Sequence, residues 1–197
     1  MRRTLLLTAF MAAAVASHAT VTIATFSDPS NGNPFLFDWD MANNTLTGSW
    51  SGSGLNLLTP GFTGGGQVNN ATFSTSTISL TTVSAGVLYN MGSGGIVFSD
   101  SNSNMVFDIK FQGGTFLNPL NAGASSAQGN SVSFSGPNVP SNLANESFSF
   151  SLANPTVSGS HMFFTASFTS SADVVPEPAS LLALGAGVLA VVRRRKA

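Results

Sequence analysis

Ser147-Phe148-Ser149-Phe150-Ser151-Leu152 decides the class of fold. The six residues alternate strictly between hydroxyl and apolar side chains, and a strand turns successive side chains to opposite faces. As a strand, the segment offers three serines to water and Phe148, Phe150 and Leu152 to a core. As a helix it would bury serine whichever way it turned. The same period recurs outward from it. Met162, Phe164, Ala166 and Phe168 repeat it on the C-terminal side. Upstream it returns at Phe107, Ile109 and Phe111, at Val132 and Phe134, at Ile78 and Leu80, and at Val21, Ile23 and Thr25. Val87-Leu88-Tyr89 and Ile96-Val97-Phe98 flank Met91-Gly92-Ser93-Gly94-Gly95, which predicts a hairpin around a glycine-rich loop. Turn clusters at 29–33, 59–66, 118–119 and 136–138 separate the other runs. About nine to eleven short strands with one apolar and one polar face predict an all-β domain, specifically an antiparallel β-sandwich of jelly-roll, lectin-like form. No fixed repeat supports a propeller or β-helix. Residues 117–130 lack strand signals and are expected to form a long surface loop, and 139–146 a single helical turn.

The two ends of the chain are of another kind. Met1-Arg2-Arg3 is a positive start, Leu5 to Ala16 is apolar, and Ser17-His18-Ala19 places small residues at −3 and −1 of a signal-peptidase site. This predicts a signal peptide over 1–19, cut after Ala19. At the other end, Pro176-Glu177-Pro178 precedes an apolar run, 179–192, and the basic cluster Arg193-Arg194-Arg195-Lys196. Proline fixes φ and lacks a donor, so the triplet stays extended before the run. As a helix, 179–192 would be roughly 21 Å long, short of the ~30 Å hydrocarbon core. It suits a temporary stop better than a permanent anchor, with the cations held on the cytoplasmic side. Between these ends lies a domain expected over 20–169, with 170–175 as a spacer into the tail.

Triplet, apolar stretch and basic end, in this order, resemble the PEP-CTERM sorting signal of bacterial exported proteins. The resemblance is confined to the tail, about a tenth of the chain. It implies recognition by an exosortase, a membrane-embedded cysteine transpeptidase-like enzyme, with cleavage near Pro176–Pro178. It implies nothing about the domain in front.

The charge of the whole chain, −1, hides the character of that domain. Six of the seven basic residues lie in the targeting ends, which leaves Lys110 against Asp28, Asp38, Asp40, Asp100, Asp108, Glu146 and Asp173: one cation against seven anions, or −6. Such a surface repels phosphate backbones, so nucleic acid is a poor partner. No cysteine is present, which excludes disulfides, thiolate metal sites and a cysteine nucleophile. Roughly 150 residues suffice to bury a core without cross-links.

Few residues are candidates for chemistry. His161 is the one histidine between the targeting ends, so multi-histidine metal sites are excluded, and no nucleophile elbow supports a triad. Within Phe35-Leu36-Phe37-Asp38-Trp39-Asp40, alternation puts Leu36, Asp38 and Asp40 on one face and the three aromatic rings on the other. Two carboxylates about 6.5–7 Å apart result. Paired carboxylates can bind Ca²⁺ or hydrolyse a glycoside, though a solvated acidic face is the plainer reading. Asp100, Asn102 and Asn104 sit at positions 1, 3 and 5 of a calcium loop, but Met105 replaces its glycine, which favours an Asx-rich hairpin turn. No other cofactor is expected. Trp50, among small polar residues, is a candidate sugar-stacking ring, as is Tyr89, with core packing the plainer role for Trp50.

The expected function is that of a non-catalytic exported protein of the cell surface or matrix, associated with extracellular polysaccharide or biofilm. Its expected partners are signal peptidase, exosortase, the membrane before processing, and polysaccharide. A carbohydrate-binding or adhesin module is the alternative. A hydrolase would require Asp38, Asp40 or Glu146 to converge in a cleft.

Overall fold

The Ser147–Leu152 alternation lies inside the longest strand of the protein, where Phe148, Phe150 and Leu152 are buried. A computed structural model describes residues 19–29, 35–118 and 125–175. Its strands are β1 (Ala19–Phe26), β2 (Phe37–Asp40), β3 (Thr45–Trp50), β4 (Leu57–Leu58), β5 (Gln67–Val68), β6 (Thr72–Thr75), β7 (Ile78–Ser84) and β8 (Leu88–Met91). They continue with β9 (Gly94–Ser99), β10 (Met105–Phe111), β11 (Gly113–Leu117), β12 (Ser125–Asn130), β13 (Ser133–Ser135), β14 (Leu143–Ser158) and β15 (His161–Val174). Among the described residues there is no helix, and every strand pair is antiparallel.

The class expected from the alternation is therefore observed, but a two-sheet jelly roll is not the arrangement. Eight strands close into a barrel in the order β2-β3-β7-β8-β11-β12-β14-β15 and back to β2. The cause is β2. Only four residues long, it pairs on one side with β3 and on the other with the first four residues of β15, and so joins what would otherwise be two layers. Beyond the reach of β2 the seam opens. There the end of β3 takes β6 as partner, followed by β9, β10 and β13, while the second half of β15 takes β1, followed by β4 and β5. The molecule is a closed barrel at one end that opens into two facing layers at the other.

Two aromatic clusters fill these ends. Inside the barrel, Trp39 meets Tyr89 at 5.0 Å and Phe116 at 5.3 Å between ring centroids, and Phe116 reaches Phe164. Eight strands leave an interior just wide enough for side chains to fill. Between the layers, Phe26, Phe73, Phe98, Phe107, Phe150 and Phe168 pack together. Phe37 and Phe150, 4.8 Å apart, join the clusters into one core.

Three local expectations are corrected. The loop expected over 117–130 contains the end of β11 and all of β12. The helical turn expected in 139–146 is absent, and β14 begins at Leu143. The spacer expected at 170–175 is strand as far as Val174, because β15 is flanked by β1 and β14 along that stretch. Residues 1–18 and the tail from 176 onward, including the apolar run and basic cluster, lie outside the described residues.

Candidate functional site

The chemistry-bearing residues of the body gather where β2 meets the start of β15. Asp38 and Asp40 share the outer face of β2, as alternation predicts, while Phe37 and Trp39 turn inward. Leu36 departs from the pattern. The strand begins only at Phe37, so Leu36 is buried and Phe35 places its ring on Phe163, at 5.6 Å between centroids. His161 opens β15. Its Nδ1 contacts both carboxylate oxygens of Asp38, at 2.9 and 3.1 Å, and its ring stacks on Phe163.

Asp40 is occupied within the β2–β3 turn. Its Oδ1 accepts from the backbone N–H groups of Ala42 and Asn43 and its Oδ2 from the Asn43 side chain. The Asn43 side-chain bond is the main reason its pKa is lowered. His161 is shifted the other way, above 6.5, first by its hydrogen bond to Asp38; burial opposes the shift, and attraction to Asp38 and Asp40 adds to it. A raised histidine pKa favours the folded state below about pH 6.5, and that contribution is lost as pH rises through the shifted value. The ring is too exposed for the effect on stability to be large. Asp38→Asn is expected to return the His161 titration toward 6.5, read from its ring resonances in an NMR pH series; an unmoved midpoint would show that the pairing is not the cause.

The remaining candidates do not join this cluster. Asp100 accepts from the backbone of Asn102 and Asn104 and from the Asn104 side chain, which lowers its pKa and closes the β9–β10 turn. Among the described residues no three acidic or histidine side chains converge as a metal site. Glu146 accepts from the Phe134 N–H near the far end of β15, where partial burial raises its pKa. Ser147 lies opposite Ser171 and Asp38 opposite Phe163, eight residues apart on β15, which places Glu146 roughly 25 Å from the Asp38 pair. Glycosidase carboxylates stand no more than about 9.5 Å apart. Trp50 and Tyr89 are 6% and 5% exposed, so neither is available to stack on a sugar. Trp50 lies under Gly52, and the Tyr89 hydroxyl accepts from the Gly86 N–H inside the fold.

At the opposite end of β15, the body meets the tail. Val174 pairs with Ala19 on one side and with Leu143 on the other. Val175 is held twice by Asn142: its N–H donates to the Asn142 carbonyl at 2.9 Å, and its carbonyl accepts from the Asn142 side chain at 2.6 Å. The Thr20 hydroxyl and Asn145 side chain both donate to Asp173 alongside. The chain thus enters and leaves the body at neighbouring positions on one pole, and the next residue is Pro176. The family model of the PEP-CTERM protein-sorting motif matches residues 174–196. The tail is a PEP-CTERM sorting motif. It contains the expected Pro176, Glu177, Pro178 and the basic residues Arg193 to Lys196, and its first matched residue, Val174, is still part of the folded sheet. A PEP-CTERM motif implies export, an exosortase as processing partner, and a surface or extracellular destination. No curated protein and no solved structure matches the chain. The Asn142 clasp was not visible in the sequence, because one asparagine before a strand carries no signal of what it will hold.

Proposed function

We propose that the protein is a non-catalytic component of the cell surface or extracellular matrix, delivered by signal peptidase cleavage after Ala19 and exosortase processing of the PEP-CTERM tail. The observation that carries this reading is the pole where Thr20, the residue after that cleavage, lies beside Asp173 at the end of β15. Both targeting ends leave from one point of a finished sheet, so the body can fold completely while either end is held at the membrane. From Val175 to Ala179 an extended chain reaches at most about 14 Å. The folded body therefore stands close to the membrane until the tail is removed. The non-catalytic part of the reading is supported by the occupied acceptors of Asp40 and Asp100 and by the distance of Glu146 from Asp38. Association with extracellular polysaccharide belongs to the same proposal, as the role of a surface bearing few charges.

The test is the intact mass of the protein from an exosortase-bearing host beside a strain lacking that enzyme. The expected result is a chain beginning at Thr20 in both, and loss of residues from near Pro176 only where the exosortase is present. Retention of Arg193–Lys196 in both strains would make the tail a simple anchor and overturn the processing route.

A further inference from the structure

We infer that Asn142 sets the limit of tail removal: its clasp withholds Val175 from the exosortase, so the earliest bond open to cleavage is Pro176–Glu177. This deepens the processing reading above and rests on it. Asn142 is a positioning residue here, acting through Val175 rather than on the reacting atoms.

At the end of β15, Val174 pairs with Leu143 of β14, and the register brings Val175 opposite Asn142. The Val175 N–H continues the ladder by donating to the Asn142 carbonyl at 2.9 Å. In a regular antiparallel pair the opposite main-chain N–H returns the second bond. Here the Asn142 side-chain amide returns it, donating to the Val175 carbonyl at 2.6 Å. Both main-chain groups of half-buried Val175 are therefore occupied. The residue before it but one is held as well, since Thr20 and Asn145 both donate to Asp173. Pro176 follows with no N–H to offer, so the ladder has nothing with which to continue.

Cleavage of a peptide bond needs the groups that Asn142 holds. A nucleophile adds to the carbonyl carbon, the oxygen takes the negative charge, and donors of the enzyme must meet that oxygen. The C–N bond then breaks, the departing nitrogen takes a proton, and the acyl group passes to water. For the Val175–Pro176 bond, that oxygen is the one bonded to the Asn142 side chain. For the Val174–Val175 bond, the departing nitrogen is the one bonded to the Asn142 carbonyl. Neither bond enters an active site until the clasp opens, and opening breaks two hydrogen bonds together. The Pro176 carbonyl is the first beyond the clasp. The side chain at 142 must donate for this to work: a carboxylate there would set oxygen against oxygen.

The protein from an exosortase-bearing host reads the limit directly. Trypsin cuts the denatured product after Lys110, the one basic residue of the body, so the mass of the peptide from Phe111 onward fixes the C-terminus. A terminus at Pro176 or later is expected, and one at Val175 or Val174 would overturn the limit. Asn142→Ala and Asn142→Asp test the cause. The second keeps the side-chain shape but cannot donate, so it decides the matter if the first fails to fold. Each full chain is purified with its tail from a strain lacking the exosortase and treated with elastase, which cuts after valine. Cleavage after Val174 should be about fivefold faster in both variants than in the parent, the effect of one lost hydrogen bond on local opening. Ser151→Ala, exposed on β14, should match the parent. Equal rates in the parent and the Asn142 variants would overturn the clasp. Retention of Arg193–Lys196 in both strains would overturn the processing reading and the limit with it, whereas a terminus at Val175 would overturn the limit alone.

Discussion

Phe98→Ala is expected to lower stability by about 3–5 kcal/mol, the cost of emptying a fully buried ring site. Phe98 is completely buried on β9. It touches Phe168 at 5.0 Å, Phe73 at 5.6 Å, Phe107 at 5.9 Å and Phe26 at 6.1 Å between centroids. Those rings come from β15, β6, β10 and β1, so Phe98 is shared by both layers where the barrel opens. Nothing covalent compensates, because the chain has no cysteine. Against a total of about 5–15 kcal/mol for a typical domain, the loss is a fifth or more. Equilibrium urea unfolding of the full chain measures it. The adjacent Val97→Ala provides the contrast: Val97 is 37% exposed on the outer face and should shift stability by only about 0.5 kcal/mol. Equal losses at the two positions would mean that the layers are not packed through Phe98.

That pair of neighbours also shows what the sequence could convey. Ile96-Val97-Phe98 reads as a strand, and the two buried and one exposed side chains follow from the period alone. The same holds for Phe107, Ile109 and Phe111, and for the strict run in β14. Where a strand carries no apolar alternation, the signal vanishes. Ser125-Ser126-Ala127-Gln128-Gly129-Asn130 has Ala127 as its one apolar side chain, yet it is β12, because β11 and β14 supply main-chain partners on both sides. Propensity for a strand depends on such neighbours, which a single sequence does not display. The closure of the barrel was hidden for a related reason: it rests on four residues of β2 pairing in both directions. Local chemistry fared better. Met105 in place of the loop glycine favoured an Asx-rich turn at Asp100, Asn102 and Asn104, and Asp100 does close one on the backbone N–H groups of Asn102 and Asn104. Trp50 packs in the core, its plainer reading, and Tyr89 lies inside with it, while Phe35, placed by alternation with the core rings, is only half-buried because β2 begins two residues later.

The position of the tail joins the two ends of this reasoning. The PEP-CTERM match begins at a residue paired on both sides, so the sorting motif follows the fold with no intervening spacer. A body that has not closed β14, β15 and β1 cannot present the motif from this pole. Any change that opens the sheet is therefore expected to disturb the pole from which the motif leaves, and the sharpest such change is on the far side of the barrel.

Gly114→Ala is that change, and it is expected to cost about 3 kcal/mol or more, the upper range for forcing extra atoms into a packed interior. Gly114 is a buried residue of β11, directly opposite Gly129 of β12. A Cβ there would stand 2.0 Å from the Gln128 carbonyl oxygen, 3.0 Å from its carbon and 3.1 Å from the Gly129 Cα. All three are main-chain atoms, so no side-chain rotation relieves the contact and β11 must separate from β12. In an open sheet an edge strand could lean away. Here both strands belong to a closed ring, and displacement of β12 passes to β14 and then to β15. Gly113→Ala is the control one residue away: its Cβ would meet the Met91 carbonyl oxygen at 3.5 Å, an ordinary contact. Urea unfolding should therefore show a large loss for Gly114→Ala and little for Gly113→Ala, and if the former does not fold, recovery of folded Gly113→Ala gives the same contrast. Matching stabilities would mean that β11 and β12 are not as close as the barrel requires. With that contact gone, the closure that carries β15 to the sorting motif would lose one of its joints.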